Sequence, residues 1–177
     1  DNMTVAIDGV RYLLNDRHFP TIDPADPCAL SVAERKLMET LRRAFLRSER
    51  LQKHVAFLYS HGSMYLKYNQ NLLFHGCIPM DEAGGFRVFR AADGRTYSGR
   101  AYMDYADKTA RKAYYATPGH PDKQEAVDFL WYLWCGRGSP LFGREKITTF
   151  ERYFVADKAT WTEKKDPYYQ HIHQAER

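Results

Sequence analysis

The sequence NLLFHGCIPMDE, residues 71–82, contains a short apolar run that ends in a histidine. Residues 72–74 are typical of a buried strand, Gly76 follows the histidine directly, and residues 77–79 turn the chain. Strand ends are where α/β proteins project functional side chains, and a glycine lets a ligand or another backbone come close. His75 is therefore either a metal ligand or a hydrogen-bonded core histidine, and the residues alone leave both interpretations open.

The composition indicates a folded protein without a membrane segment. The chain has 177 residues, of which 44% are hydrophobic and 15% aromatic, enough for a packed core in one domain or in a piece of a larger one. No apolar run reaches membrane-spanning length, and the first residues lack the features of a signal peptide. Because the sequence begins with Asp1 rather than methionine, we expect an excised or processed segment.

The charged residues favour a solvated surface over a nucleic-acid interface. The net charge is +4, but basic and acidic residues alternate, as in Glu34-Arg35-Lys36, whereas nucleic-acid binding needs basic residues gathered on one face. The same balance suits a small anionic substrate. Three widely separated cysteines, Cys28, Cys77 and Cys135, show no CxxC spacing, which predicts reduced thiols in a cytoplasmic protein.

Local signals predict an α+β fold that is rich in helix and contains β-hairpins. Asp8-Gly9 favours a two-residue hairpin turn, and Ser31 with Glu34 forms a capping-box pattern that starts a helix. A second helix is predicted from Ser48 to a stop at Gly62. The predicted segments are a hairpin and linker (1–27), a helical pair (28–62), strands that carry the His-Gly motif (63–100), and a helical part with a tail (100–177).

Further hairpins and helices are predicted after Gly62. Hairpins are predicted around Asn69-Gln70 and Asp93-Gly94, and helices over residues 100–115 and 121–134. Residues 147–155 fit a strand or a helix. The tail, residues 162–177, is polar, and we expect its end to be mobile.

Other histidines match short metal-ligand patterns. Asp16 and His18 have the Asp-x-His spacing that places two side chains on one side of a strand, but the same residues fit a turn. His120 fits a turn before a helix. His171 and His173 form another i, i+2 pair in the polar tail, where we expect them to face solvent. The patterns of P-loop, GxSxG and HExxH enzymes do not occur.

Three long motifs resemble a known enzyme family. Residues 57–82 (FLYSHGSMYLKYNQNLLFHGCIPMDE), 131–143 (WYLWCGRGSPLFG) and 149–169 (TFERYFVADKATWTEKKDPYY) closely resemble the class III fructose-1,6-bisphosphatases of bacteria. The resemblance extends over essentially the whole chain. It implies a metal-dependent sugar phosphatase with the calcineurin-like metallophosphoesterase fold.

The resemblance assigns roles to His75 and Gly76, and the chemistry of arginine adds two further candidates. The resemblance implies that His75 binds one of two adjacent divalent metal ions, manganese for preference, and that Gly76 clears room beside the metals. Arg137 and Arg152 are candidates for binding phosphate, because a guanidinium matches phosphate oxygens, although surface ion pairing is the alternative for both. The implied partner is a sugar bisphosphate, hydrolysed at its 1-phosphate, and the protein is expected to form a homo-oligomer, with no nucleic acid or membrane as a partner.

The sequence also departs from the family's pattern. The Gly-Asp-x-x-Asp and Gly-Asn-His motifs of the superfamily do not occur. We therefore expect a central segment that carries one metal ligand, is inactive alone, and leaves unpaired edges on the sheet that contains residues 72–76. Two alternatives remain open. The chain is a noncatalytic oligomerisation or regulatory region with Trp131, Tyr132 and Trp134 in an interface, or it belongs to another calcineurin-like phosphatase.

Overall fold

The structure, a computed structural model, describes residues 3–175, with side chains described as far as residue 172. Its strands are β1 (Thr4–Ile7), β2 (Val10–Leu13), β3 (Tyr65–Tyr68), β4 (Asn71–Phe74), β5 (Phe89–Arg90) and β6 (Thr96–Tyr97). Its α-helices are α1 (Val32–Arg47), α2 (Glu49–His61), α3 (Gly99–Tyr115), α4 (Pro121–Cys135), α5 (Thr149–Phe154) and α6 (Tyr168–Ala175). A 3-10 helix covers Lys158–Trp161.

The chain divides into two compact units. The first contains Asp1–Gly62 and Phe150–Thr160, and the second contains Ser63–Thr149 and Trp161–Arg177. Three antiparallel two-stranded sheets are present in the described residues, β1 with β2, β3 with β4, and β5 with β6. The predicted α+β class is confirmed.

The first unit begins with the predicted hairpin. Asp8 and Gly9 both have a positive φ, 50° and 81°, as a two-residue turn between twisted strands requires. Strand β2 continues into hydrogen bonds with the α5 segment, because Asn15 N donates to Phe154 O at 2.7 Å and Ala156 N donates to Leu13 O at 3.0 Å. Residues 147–155, which fitted a strand or a helix, thus contain helix α5.

Helices α1 and α2 start where their caps predict. The capping box of α1 is complete, with Glu34 N donating to Ser31 Oγ and Ser31 N donating to the Glu34 carboxylate at 2.8 Å. Helix α2 ends at His61, and the φ of −79° at its C-cap residue Gly62 shows that the stop needs no left-handed residue. Neither helix contains a buried residue.

The second unit has the hydrophobic core. Helices α3 and α4 pack together, and residues from both bury their side chains with Met64, which precedes β3. The Phe89 ring of β5 stacks on Tyr102 with 4.8 Å between ring centroids. The buried members of this cluster are Met64, Tyr102, Met103, Ala106, Phe129 and Leu133.

Strand β4, which precedes His75, is less buried than its composition predicts. Leu72 and Leu73 are exposed, and only Phe74 is half-buried, in contact with the core. The prediction of a buried strand is wrong for the two leucines, because a two-stranded sheet with few neighbours leaves most of its surface in solvent. Within the described residues β4 pairs with β3 alone, in a register that places Phe74 opposite Tyr65.

Residues 168–175 of the polar tail form helix α6. The predicted mobile end of the tail lies outside the described residues. No helix among residues 3–175 is long and apolar enough to cross a membrane.

Candidate functional site

His75 follows the last residue of β4, and its imidazole is exposed to solvent. Within this chain His75 is therefore not a buried core histidine. The backbone before His75 is held by the pairing of β4 with β3, and the backbone after it is held by contacts with residues 139–141 and with α6. The result is an accessible imidazole on a fixed stretch of chain.

Gly76 lies where no side chain fits. A Cβ atom at this position would lie 2.9 Å from Leu141 O and closer still to Pro140 O. The carbonyl oxygen of Gly76 accepts a hydrogen bond from the Tyr169 hydroxyl at 3.1 Å. The glycine is thus required by the close approach of residues 140–141. The expectation that it also clears room beside metals stays a prediction.

Cys77, like Gly76, lies against residues 139–141. Its N–H donates to Pro140 O at 2.9 Å, and its side chain is fully buried. Burial raises the pKa of the Cys77 thiol to about 12, with the charge of Asp166 adding to the shift. The thiol therefore stays protonated at neutral pH, which makes it a packing residue rather than a nucleophile.

The loop that receives Gly76 and Cys77 is organised by Ser139. The buried Ser139 hydroxyl donates to Leu133 O at 2.6 Å, at the end of α4, and accepts from Leu141 N at 3.2 Å. Phe142 N donates to the same oxygen at 3.3 Å. The core helix α4 thereby determines the position of the loop.

Asp166 holds the chain beyond Cys77. Its buried carboxylate accepts hydrogen bonds from Met80 N and Tyr168 N, both at 3.0 Å. An Arg87 Nη atom lies 3.9 Å from Asp166 and 3.4 Å from the Glu145 carboxylate. Sequence reasoning missed this network, and the only signal for it was the DPYY part of the third motif, residues 166–169.

The two candidate phosphate-binding arginines lie in different units. Arg137, in the second unit, is exposed, and its Nε is 2.6 Å from the Glu145 carboxylate. Arg152, on α5 in the first unit, is also exposed and has a partner. The ion pair of Arg137 agrees with the surface-pairing alternative, and a phosphate role for either residue stays a prediction.

The other histidines are explained by local structure. The Asp16 carboxylate accepts a hydrogen bond from His18 N at 2.8 Å, which is a turn rather than a strand pair. His120 caps α4 through Nδ1, which accepts from Asp122 N at 3.3 Å, as the turn interpretation predicts. His171 is half-buried on α6, with Nε2 3.3 Å from Glu82 O, so its predicted solvent-facing position is wrong. The side chain of His173 lies outside the described residues.

Among the side chains that the structure describes, in residues 3–172, no three or more from histidine, cysteine or acidic residues are placed to bind one metal ion. The exposed imidazole of His75 fits a single ligand of such a site, since a neutral imidazole is a common metal donor.

Comparison with known proteins decides the family. The profile of the Firmicute fructose-1,6-bisphosphatase family matches residues 1–177. The chain belongs to this family. Among its relatives, the class 3 fructose-1,6-bisphosphatase of Clostridium tetani is 53% identical over 169 residues, which is 96% of this chain and 25% of the relative. The class 3 enzyme of Alkaliphilus metalliredigens is also 53% identical, over 167 residues, 94% of this chain and 25% of the relative.

The match to this fructose-1,6-bisphosphatase family confirms the family assignment made from the three motifs. The chain spans about a quarter of the length of the curated relatives it matches. No solved structure matches the chain.

Proposed function

We propose that the complete polypeptide that carries this chain hydrolyses the 1-phosphate of fructose 1,6-bisphosphate to give fructose 6-phosphate. The observation that carries the proposal is the family match over residues 1–177, together with relatives that are named class 3 fructose-1,6-bisphosphatase. The chain would supply one part of the active site, and other parts of the polypeptide would supply the rest.

His75 is the residue of this chain that would bind the metal. Three properties support this role: an exposed imidazole, a position at the end of a strand, and fixed backbone on both sides. The resemblance to calcineurin-like metallophosphoesterases supports the same fold for the complete polypeptide. When bound, a pair of divalent ions such as manganese would acidify the attacking water and offset negative charge on the phosphate.

Arg137 is the better of the two candidates for binding phosphate. It lies in the second unit with His75, on the loop whose Pro140 accepts from Cys77 N. Its partner, Glu145, also contacts Arg87, so Glu145 keeps a cationic neighbour if the Arg137 guanidinium turns to a phosphate. The free cysteines Cys28, Cys77 and Cys135 support a cytoplasmic location.

The test compares two exposed histidines in the protein expressed from the complete reading frame. We expect His75→Ala to lower the rate of phosphate release from fructose 1,6-bisphosphate about a thousandfold, or about 4 kcal/mol of transition-state stabilisation, with an unchanged circular dichroism spectrum. The matched control His18→Ala removes an exposed imidazole whose backbone forms a turn, and should leave the rate unchanged.

The 177-residue chain alone is expected to release no phosphate at any manganese concentration. Turnover by the rigorously purified chain would show that it holds a metal site of its own. A His75→Ala variant that unfolds at a lower temperature but retains full specific activity would make His75 a packing residue.

A second candidate function, an oligomerisation surface, is favoured by one observation. Trp131 and Trp134 on α4 are 66% and 62% exposed, and their rings contact each other with 5.0 Å between centroids. Exposed tryptophan pairs are common in protein interfaces. If this surface joins two copies, Trp131→Ser with Trp134→Ser should shift the mass measured by light scattering to that of the monomer. An unchanged mass would exclude the surface from the oligomer contact.

A further inference from the structure

Two adjacent tyrosines at the start of α6 contact the chain on either side of His75. The Tyr168 ring meets Phe74, the residue before His75, edge to face with 5.9 Å between centroids. The Tyr169 hydroxyl donates to the carbonyl oxygen of Gly76, the residue after His75, at 3.1 Å. One helical turn therefore holds both flanks of a histidine that lies more than 90 residues earlier in the sequence.

The tyrosines are themselves held in place. Tyr168 is buried, and its N–H donates to the Asp166 carboxylate at 3.0 Å. Asp166 N donates to Gly143 O at 3.0 Å, which connects the start of α6 to the loop that Ser139 organises. Since the Asp166 carboxylate also accepts from Met80 N, one buried side chain joins α6 to the segment that follows His75.

The His75 side chain, unlike the residues that hold its backbone, is not itself buried against the part of the chain that the structure describes. Its imidazole is exposed, so the direction in which it points depends on the backbone that carries it. A ligand binds a metal tightly when neighbouring groups keep it in the required orientation, and removal of such a group weakens binding. Phe74 and Gly76 are the two residues whose positions determine the direction of the His75 Cα–Cβ bond.

We propose that Tyr168 and Tyr169 are positioning residues that fix His75 for a divalent cation. Tyr168 restrains Phe74 through ring contact, and Tyr169 restrains Gly76 through one hydrogen bond. The inference rests on the proposed role of His75 as a metal ligand. It adds that the segment 166–169 is part of the site although it supplies no donor atom to the cation.

The test uses Tyr169→Phe in the protein expressed from the complete reading frame, because this change removes the hydroxyl and keeps the ring. We expect manganese, titrated alone and followed by the electron paramagnetic resonance of the free ion, to bind about two- to tenfold more weakly, as for the loss of one hydrogen bond. Hydrogen exchange at the Cys77 amide, which donates to Pro140 O, should become faster. The control Tyr153→Phe changes a tyrosine that is 73% exposed, and should alter neither measurement.

A second pair of variants tests the ring contact. Tyr168→Leu removes the edge-to-face contact with Phe74, whereas Tyr168→Phe retains a ring at the same place. We expect Tyr168→Phe to bind manganese more tightly than Tyr168→Leu. Equal manganese affinity of these two variants would remove Tyr168 from the proposal.

The outcomes separate this inference from the function on which it rests. If Tyr169→Phe shows wild-type exchange at Cys77 and wild-type manganese affinity, the positioning role is overturned. If His75→Ala binds manganese as tightly as the wild type, the assignment of His75 as a ligand fails instead. In that case faster exchange at Cys77 in Tyr169→Phe would still support the restraint of the chain around His75, and unchanged exchange would refute it.

Discussion

Helices α1 and α2 of the first unit differ from helices α3 and α4 of the second in what covers their apolar residues. Helices α3 and α4 pack together and bury side chains from both. Helices α1 and α2 have no buried residue, and Leu37, Leu41 and Phe45 of α1 are all exposed. An amphipathic pattern thus predicts that a helix has an apolar face, but it does not predict which partner covers that face.

The largest effect should come from the core of the second unit. Leu133 of α4 is 1% exposed and lies in the core cluster. We expect Leu133→Ala to lower the free energy of unfolding of the chain by about 3 kcal/mol, because it leaves a cavity. Urea denaturation measures the change. Leu37→Ala, on the exposed face of α1, should shift the same quantity by less than about 0.5 kcal/mol. Equal losses would show that the apolar face of α1 is covered in solution.

Gly76 in the second unit and Gly9 in the first differ in the space that is available for a side chain. Gly76→Ala should lower the free energy of unfolding by about 1–3 kcal/mol, since its Cβ has no space beside the Pro140 and Leu141 carbonyls. Gly9, in the first unit, has open space around it and a φ of 81°. Asparagine tolerates that backbone conformation, so Gly9→Asn should leave the unfolding midpoint in urea nearly unchanged. A tolerated Gly76→Ala would mean that residues 140–141 move away at little cost.

The pH dependence of stability should differ between two cysteines. The native Cys77 thiol keeps its proton to about pH 12, whereas the unfolded chain releases it from about pH 9. The contribution of the protonated Cys77 thiol to the free energy of unfolding is therefore complete below about pH 9. As the pH rises from about 9 towards 12, this contribution is lost by about 1.4 kcal/mol per pH unit. Urea denaturation from pH 8 to 10.5 should show a shallower decline for Cys77→Ala than for the wild type. The exposed Cys28 serves as the control, and Cys28→Ser should follow the wild-type decline.

The smallest effect should come from helix caps. Ser31→Ala removes the side chain that caps α1, and should cost about 1 kcal/mol of helix stability. Because α1 has no buried residue, this loss should reduce the far-ultraviolet helix signal of the chain. Ser98 occupies the same position before α3 but makes no capping hydrogen bond through its side chain. Ser98→Ala should therefore leave the helix signal unchanged. An equal loss of helix signal in Ser31→Ala and Ser98→Ala would contradict this prediction. It would show that α3 depends on its N-cap residue as much as α1 does, and that packing does not replace the cap.

Much of the local structure was predictable, because its causes lie within a few residues. The Asp8-Gly9 turn, the Ser31–Glu34 capping box and the Asn69-Gln70 turn all form as the sequence indicates. Gln70 adopts a φ of 64° without being a glycine, because the register of β3 and β4 leaves two residues for the turn.

The surroundings of the candidate site were not predictable in the same way. The position of His75 after an apolar run identified it as a candidate. Its exposure could not be predicted, because the number of neighbours that β4 has is not evident from the sequence. The contact of Tyr169 with Gly76 joins residues 93 positions apart, and the bond from Met80 N to Asp166 joins residues 86 apart. Local sequence patterns do not predict contacts between residues so far apart. The residues that make these contacts could be recognised from the sequence only as parts of longer motifs of the family.

The distance along the chain between Gly76 and Tyr169 has a consequence for the order of folding. The β3–β4 hairpin needs only neighbouring residues and can form early, while the contacts that restrain its end require a segment made much later. During synthesis from the N-terminus, His75 leaves the ribosome long before residues 166–169 exist. Orientation of this histidine is thus a late event, because the backbone on both sides of His75 is held only after α6 has docked.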